Sequence, residues 1–294
     1  MSAFYEELDR SAQGVAAFRS TEATQGPWSA GLQHGGPPSA LALRELERLA
    51  PTGGGHIARL SVDFLGPVPV APITVRTEVV KPGKRAQLLL AEIIADDRTV
   101  LTARGWWRRR VDDLVPDVPD PASAQPFPDP ETIKTHEPDD DLSRSLNQGW
   151  IAAMELRHVS GGLTEPGPCK VWVRPRLPLL ATEPTSPTQT AVLIADGSSG
   201  FSSALDFRTH LFSNMDLNLS FLRAPEGSWI SLDANSSIDA AGGGTTTTRL
   251  GDRGGVFGYC MQALYVEPHG AGAHSAEPRP ASRTARDQLA GKSK

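Results

Sequence analysis

Cysteine is scarce: Cys169 and Cys260 are the only two in 294 residues. That excludes a disulfide framework and a cysteine-built metal site, and suits a reduced, cytoplasmic setting. Long apolar runs are missing as well. No stretch approaches the roughly 20 residues that span a bilayer, so a membrane partner is not expected. The opening MSAFYEELDRSAQ has no basic segment followed by an apolar one, which argues against a secretory signal. Positive charge is not in excess: 29 Lys and Arg against 34 Asp and Glu give a formal net charge of −5. Nucleic-acid binding needs concentrated cations along phosphates, and that partner class is set aside.

Turn-forming residues are plentiful, with 25 prolines and 28 glycines. From Val111 to Pro138 the chain reads VDDLVPDVPDPASAQPFPDPETIKTHEP, with almost no periodic apolar positions. Such a stretch buries too little surface to offset its ordering entropy, so it is expected to be a linker or an extended surface strap. After Pro268 the sequence HGAGAHSAEPRPASRTARDQLAGKSK has no core-forming pattern and is expected to be a disordered tail. The expected organisation is therefore a first domain over 1–110, a Pro/Asp-rich linker over 111–141, a second domain over 142–267 and a tail over 268–294.

The two blocks resemble each other. In the first, HGGPPSALALRELERL (34–49) places small residues before apolar positions at helical spacing. In the second, ADGSSGFSSALDFRTHLF (195–212) has glycines and then Phe201, Ala204 and Leu205, and both contain Ser-Ala-Leu. Each predicted helix precedes a strand-like segment with a proline turn: HIARLSVDFLGPVPVAPITVRTEVV (56–80) and NMDLNLSFLRAPEGSWISLDANSSI (214–238). Each block closes on a charged turn and a last strand, over 96–110 and 251–267. Leu217, Leu219 and Phe221 alternate with Asp216, Asn218 and Ser220, the period of two of a half-buried strand. Further strands are predicted over 87–95, 150–159 and 169–176. Each block is thus one helix with several antiparallel strands. The fold class is α+β: two tandem one-helix, antiparallel-sheet units forming a pseudo-dimer, with the sheets paired edge to edge so that exposed edges are removed.

Chemistry is sought where the copies differ. By simple register Trp106 falls opposite Gln262 in the last strand. Gln262 sits in an apolar run, and a buried amide without a partner costs about 1–3 kcal/mol, so it needs a specific polar neighbour. Asp216 raises the same question at the head of its strand, and Ser236 and Ser237 form a third polar element. An acid, a hydroxyl and an amide on neighbouring strands could together hold one water. Taken singly, each also has a plain structural role open to it: Asp216 as a strand-end aspartate, Gln262 as a satisfied core amide, Ser236 as a strand serine.

Two segment pairs carry a resemblance to a known family. NMDLNLSFLRAPEGSWISLDANSSI with DRGGVFGYCMQALYV resembles the C-terminal half of the bacterial acyl-CoA thioesterase II (TesB-like) family. QHGGPPSALALREL with RLSVDFLGPVPVAPITVRTEVVKPGKRAQLLLAEI resembles the N-terminal half. The resemblance is most specific in the Asp-x6-Arg-x-Pro-x-Gly-x-Trp segment from Asp216 to Trp229. It implies a double hotdog fold and hydrolysis of acyl-CoA without metal or organic cofactor, at a site of one Asp, one Ser or Thr and one Gln. Carried over, these are Asp216, Ser236 and Gln262, with Ser237 the substitute for Ser236 if the register slips by one. Departures lie in the small-residue loop AAGGGTTTT after Ile238 and in Pro37-Pro38, and bear on the shape of the acyl pocket.

The implied mechanism is attack by an oriented water. Asp216 serves as general base or as the acceptor that orients the water, Ser236 and Gln262 fix its remaining hydrogen bonds, and Gly35 or Gly36 at a helix start offers an N–H to the oxyanion. His34 could line the same mouth. Arg108-Arg109-Arg110 is a solvated charge run or a partner for coenzyme A phosphates. No G-x-S-x-G elbow occurs, Gly53-Gly54-Gly55 lacks the Lys-Ser/Thr of a phosphate loop, and no His pair has metal-ligand spacing. The alternative is a double hotdog that binds acyl-CoA or acts as a scaffold without turnover. A lyase acting on enoyl-CoA is weaker, because no His follows Asp216. Acyl chain length, pathway and assembly into a homo-oligomer are left open.

Overall fold

The computed structural model describes residues 2–11, 14–51, 54–112, 114–116, 118 and 127–269. The tail expectation for 268–294 lies outside them apart from its first two residues. The first half runs β1 (Tyr5–Arg10), β2 (Val15–Ser20), α1 (Gly36–Leu49), β3 (Gly55–Phe64), β4 (Pro72–Lys81), β5 (Ala86–Ala95) and β6 (Arg98–Arg109). The second runs α2 (Asp141–Leu146), α3 (Gly149–Ala152), β7 (Met154–Gly162), β8 (Glu165–Pro175), α4 (Pro187–Ala195), α5 (Ser198–Phe201), β9 (His210–Asn214), β10 (Asp216–Phe221), β11 (Ile230–Ile238), β12 (Gly243–Asp252) and β13 (Gly255–Pro268). No helix among the described residues is long and apolar enough to cross a membrane.

All strands join one sheet in the order β1-β2-β4-β5-β6-β3-β10-β13-β12-β11-β8-β7, with β9 also on β13. The halves meet edge to edge through β3 and β10, antiparallel, with Asp63 opposite Asp216 and Leu60 opposite Leu219. The inward residues Leu60, Val62, Leu217 and Leu219 are buried there. Their apolar faces are covered by α1 and α4, which pack side by side.

α1 starts on Pro37-Pro38, where missing N–H groups cost nothing, and continues in Ala and Leu, strong helix formers. α4 is the true counterpart of α1, and it precedes the segment 195–212 in which the sequence predicted a helix. Ser186 and Gln189 form a capping box around Pro187, a strong start signal. Ala191 to Ala195 are then buried on every side. A helix buried all round has no amphipathic period to detect, and its Val and Ile equally suit a strand. The Ser-Ala-Leu triplet of the second block lies in the irregular segment after α5.

Two further expectations are corrected. The small-residue segment after Ile238 is largely strand: Thr245 to Thr248 belong to β12, with Thr246 and Thr248 buried. Gln262 is matched by Gly105, and not by Trp106. Val62 pairs with Ala103 as Leu219 pairs with Cys260, and two residues farther along each last strand stand Gly105 and Gln262. Residues 128–131 of the linker are fastened to the second half. Trp172 Nε1 donates to Pro128 O at 2.9 Å, and Trp229 Nε1 donates to Glu131 at 3.1 Å.

Candidate active site

The last turn of α4 delivers the central group. Asp196 caps it and is 3% exposed, at the foot of a cavity of about 420 Å³ between the halves. A carboxylate at a helix C-terminus opposes the helix dipole, so it requires donors, and the surrounding elements provide them. Asn214, at the end of β9, donates from Nδ2 to Asp196 Oδ1 at 2.8 Å and to Asp196 O at 3.2 Å. Ser199 Oγ donates to Asn214 Oδ1 at 2.8 Å, which fixes the amide's orientation. Gln262 Nε2 donates to Asp196 O at 3.1 Å.

The other half supplies the opposing wall. His34 Nδ1 lies 2.9 Å from Asp196 Oδ2 and 3.2 Å from the Gly36 N–H. One ring nitrogen cannot donate and accept at once. The shorter, charge-assisted contact is the stronger and assigns the proton to Nδ1. The ring is held flat against Trp150, with centroids 4.0 Å apart and planes at 4°. Beside it, Gly35 and Gly36 open α1. A Cβ on Gly36 would stand 2.2 Å from Leu193 O, so the two helices meet there only because that residue is glycine. Gly35 lines the cavity, and its N–H makes no hydrogen bond among the described residues. The seam is closed nearby by the Phe64 N–H donating to Met215 O at 3.0 Å.

The structure does not bring Asp216, Ser236 and Gln262 together. Gln262 is 0% exposed and lies behind Asp196, gripping its carbonyl; its Oε1 has no partner among the described residues. Asp216 is on the outer side of β10, accepting from the Ala263 N–H at 2.7 Å and from Asn218 Nδ2 at 2.8 Å. The physical reason is a one-residue bulge. Asn214 pairs with Leu264 and Asn218 with Met261, so one extra residue separates β9 from β10 and side-chain parity changes between Asn214 and Leu217. Asn214 therefore faces inward and Asp216 outward. Ser236 hydrogen-bonds Ser202 Oγ at 2.8 Å and Thr246 Oγ1 at 2.7 Å, away from the cavity lining, and Ser237 is exposed on the other face.

Of the expected residues, His34, Gly35 and Gln262 converge on one place, with Gly36 in the adjoining helix contact. Asp196, Asn214 and Ser199 were missed. A signal for Asp196 was present: an aspartate that ends the apolar run AVLIA and precedes a glycine. Arg108 to Arg110 lie at the opposite end of β6 from the cavity. Phe64, at the cavity, pairs with Leu101, and the strand from there to Arg109 spans roughly 26 Å at about 3.3 Å per residue. Cys260 is equally remote from reactivity, because burial, reinforced by Asp196 and Asp216, pushes its thiol well up.

The first half lacks this chemistry. Leu46 of α1 stands where Asp196 stands in α4, counted from Pro37 and Pro187. A Cβ on Gly105 would lie 3.0 Å from Leu46 Cδ1, the apolar counterpart of the Asp196–Gln262 contact.

Comparison with known proteins agrees with the two-unit architecture. No curated protein matches the sequence. Among solved structures, the hot dog fold protein of Alicyclobacillus acidocaldarius aligns with TM-score 0.65 and 16% identity over 88% of this chain and 95% of its own. The tesB protein of Mycobacterium avium subsp. paratuberculosis aligns with TM-score 0.63 and 20% identity over 88% and 96%. The acyl-CoA thioesterase II TesB2 of Mycobacterium marinum aligns with TM-score 0.62 and 15% identity over 94% and 97%. These likenesses establish the double hotdog fold. The acyl-CoA thioesterase N-terminal domain matches residues 24–108 and its C-terminal domain residues 117–266, so the chain belongs to the acyl-CoA thioesterase family.

Proposed function

We propose that this protein hydrolyses acyl-CoA thioesters by direct attack of water, with Asp196 as the general base. The observation that carries the proposal is the placing of one buried carboxylate, held by Asn214 and His34, against the glycine that opens α1. The thioester carbonyl sits at the Gly35 N–H, where the positive end of α1 favours the developing oxyanion. A water between that carbonyl and Asp196 attacks the carbonyl carbon and gives its proton to Asp196. The tetrahedral intermediate collapses, the carbon–sulfur bond breaks, and the thiolate takes the proton back from Asp196. A thiolate is a good leaving group, so no strong acid is required.

Asn214 and His34 occupy one lone pair on each carboxylate oxygen and so turn the remaining ones toward the cavity. Gln262 acts through the main chain of Asp196. This proposal gives the base to Asp196 in place of Asp216, and the hydrogen-bonding amide to Asn214 in place of the Ser236 hydroxyl. The test is thiol release from a panel of acyl-CoAs. Asp196→Asn is expected to lose about 10²- to 10⁴-fold in kcat. Unchanged release by that variant would overturn the assignment, and no release from any substrate by the wild type would favour the acyl-CoA-binding alternative.

A further inference from the structure

Aromatic rings from both halves line the cavity, together with aliphatic side chains such as Leu32, Leu65 and Ile151 and several glycines. Trp28 is 42% exposed although it is a large apolar side chain. It meets Phe207 with centroids 5.7 Å apart, and Phe207 meets Phe212 edge-on at 5.4 Å. A second group consists of Trp150, Phe201 at 6.2 Å from it, and the stacked His34. All of these line the cavity.

Three glycines of the lining lie directly under those rings. A Cβ on Gly197 would be 2.5 Å from Trp150 Cη2, and one on Gly35 2.7 Å from Phe64 Cζ. At Gly200 the nearest atom is Phe207 Cζ, at 3.8 Å. Rings and bare backbone thus form one part of the wall, beside the aliphatic side chains that complete the lining. A saturated chain gains only buried area from such walls. A planar group gains edge-to-face and offset-stacked contacts in addition.

We infer that the acyl group this cavity takes carries a planar ring, so that the substrates are aryl-acyl thioesters. The inference rests on the hydrolase proposal and names the substrate class of the same site. Trp28 and Phe207, one from each half, would close on the ring, and the peptide face at Gly200 would support it.

The experiment compares kcat/KM for 3-phenylpropanoyl-CoA and nonanoyl-CoA, which have equal numbers of acyl carbons. The wild type is expected to prefer the ring-bearing substrate by about two- to tenfold. Gly200→Ala places a methyl group at ordinary contact distance from Phe207 and so narrows the slot while preserving the fold. It should bring the ratio toward one, as should Trp28→Ala, and Trp28→Phe should restore most of the preference. Equal or faster turnover of nonanoyl-CoA by the wild type, or a ratio unmoved by both variants, overturns the inference and leaves hydrolysis standing. Absence of thiol release from both substrates overturns the two together.

Discussion

Asp196 occupies the space that a side chain at residue 35 would need: a Cβ built on Gly35 lies 2.8 and 2.9 Å from its two carboxylate oxygens. Gly35 has ordinary helical dihedrals, so its requirement for glycine is one of approach and not of backbone freedom. The oxyanion donor proposed for Gly35 and the base proposed for Asp196 thus share a boundary with no intervening atom.

Gly35→Ala should separate them. The added methyl also meets Phe64 Cζ at 2.7 Å, and overpacking of this kind costs about 1–3 kcal/mol. Thermal unfolding should register that loss. Thiol release per folded molecule should fall further than Tm alone would suggest, because the donor and base are forced apart.

Asp216→Ala should affect stability and spare chemistry. Its carboxylate substitutes for a backbone acceptor at the Ala263 N–H where the ladder is interrupted, and losing that bond costs on the order of 1–3 kcal/mol. Denaturant midpoints should drop while kcat per folded molecule stays close to wild type. A loss of kcat comparable to that of Asp196→Asn would return the base to Asp216.

Ser199→Ala should act through Asn214. Without the hydroxyl on Oδ1, the Asn214 amide is free to turn and offer its oxygen to Asp196, a repulsive arrangement. A fall in kcat of roughly tenfold, with KM little changed, is expected, and Ser199→Thr should recover part of it.

Glu47 gives a pH signature at the far end of the helix pair. Burial raises its carboxyl pKa, Glu183 adds to the rise, and hydrogen bonds from Gln189 and Ser186 oppose it. A folded-state pKa above the unfolded one means a stabilising contribution that is full below the ordinary value of 4.5 and is lost as pH rises through the folded value. Glu47→Gln should therefore be more stable than wild type at neutral pH, and the two melting curves should converge below about pH 4.

Local pattern was sufficient for much of the architecture. Alternation at Leu217, Leu219 and Phe221 marked β10 because strand parity is a property of neighbouring residues, and the small-then-apolar spacing after His34 marked α1 for the same reason. The need of Gln262 for a polar neighbour was also legible, since an amide in an apolar run has to be paired, and Asp196 O is one such neighbour. The same alternation already assigned Asp216 to the face opposite those leucines, which is where the structure has it.

By itself, then, the sequence determined two duplicated units, most of their strands, one helix and the glycine-led entry at residues 34–36, all of which follow from short-range steric and hydrophobic periodicity. Only the tertiary structure decided which aspartate faces the cavity. That choice depends on a single-residue bulge between β9 and β10, visible only in their pairing with β13. It depends equally on α4 ending against the start of α1, a contact between segments distant in the chain. The change of parity between β9 and β10 and the docking of the end of α4 on the start of α1 are settled by these long-range pairings.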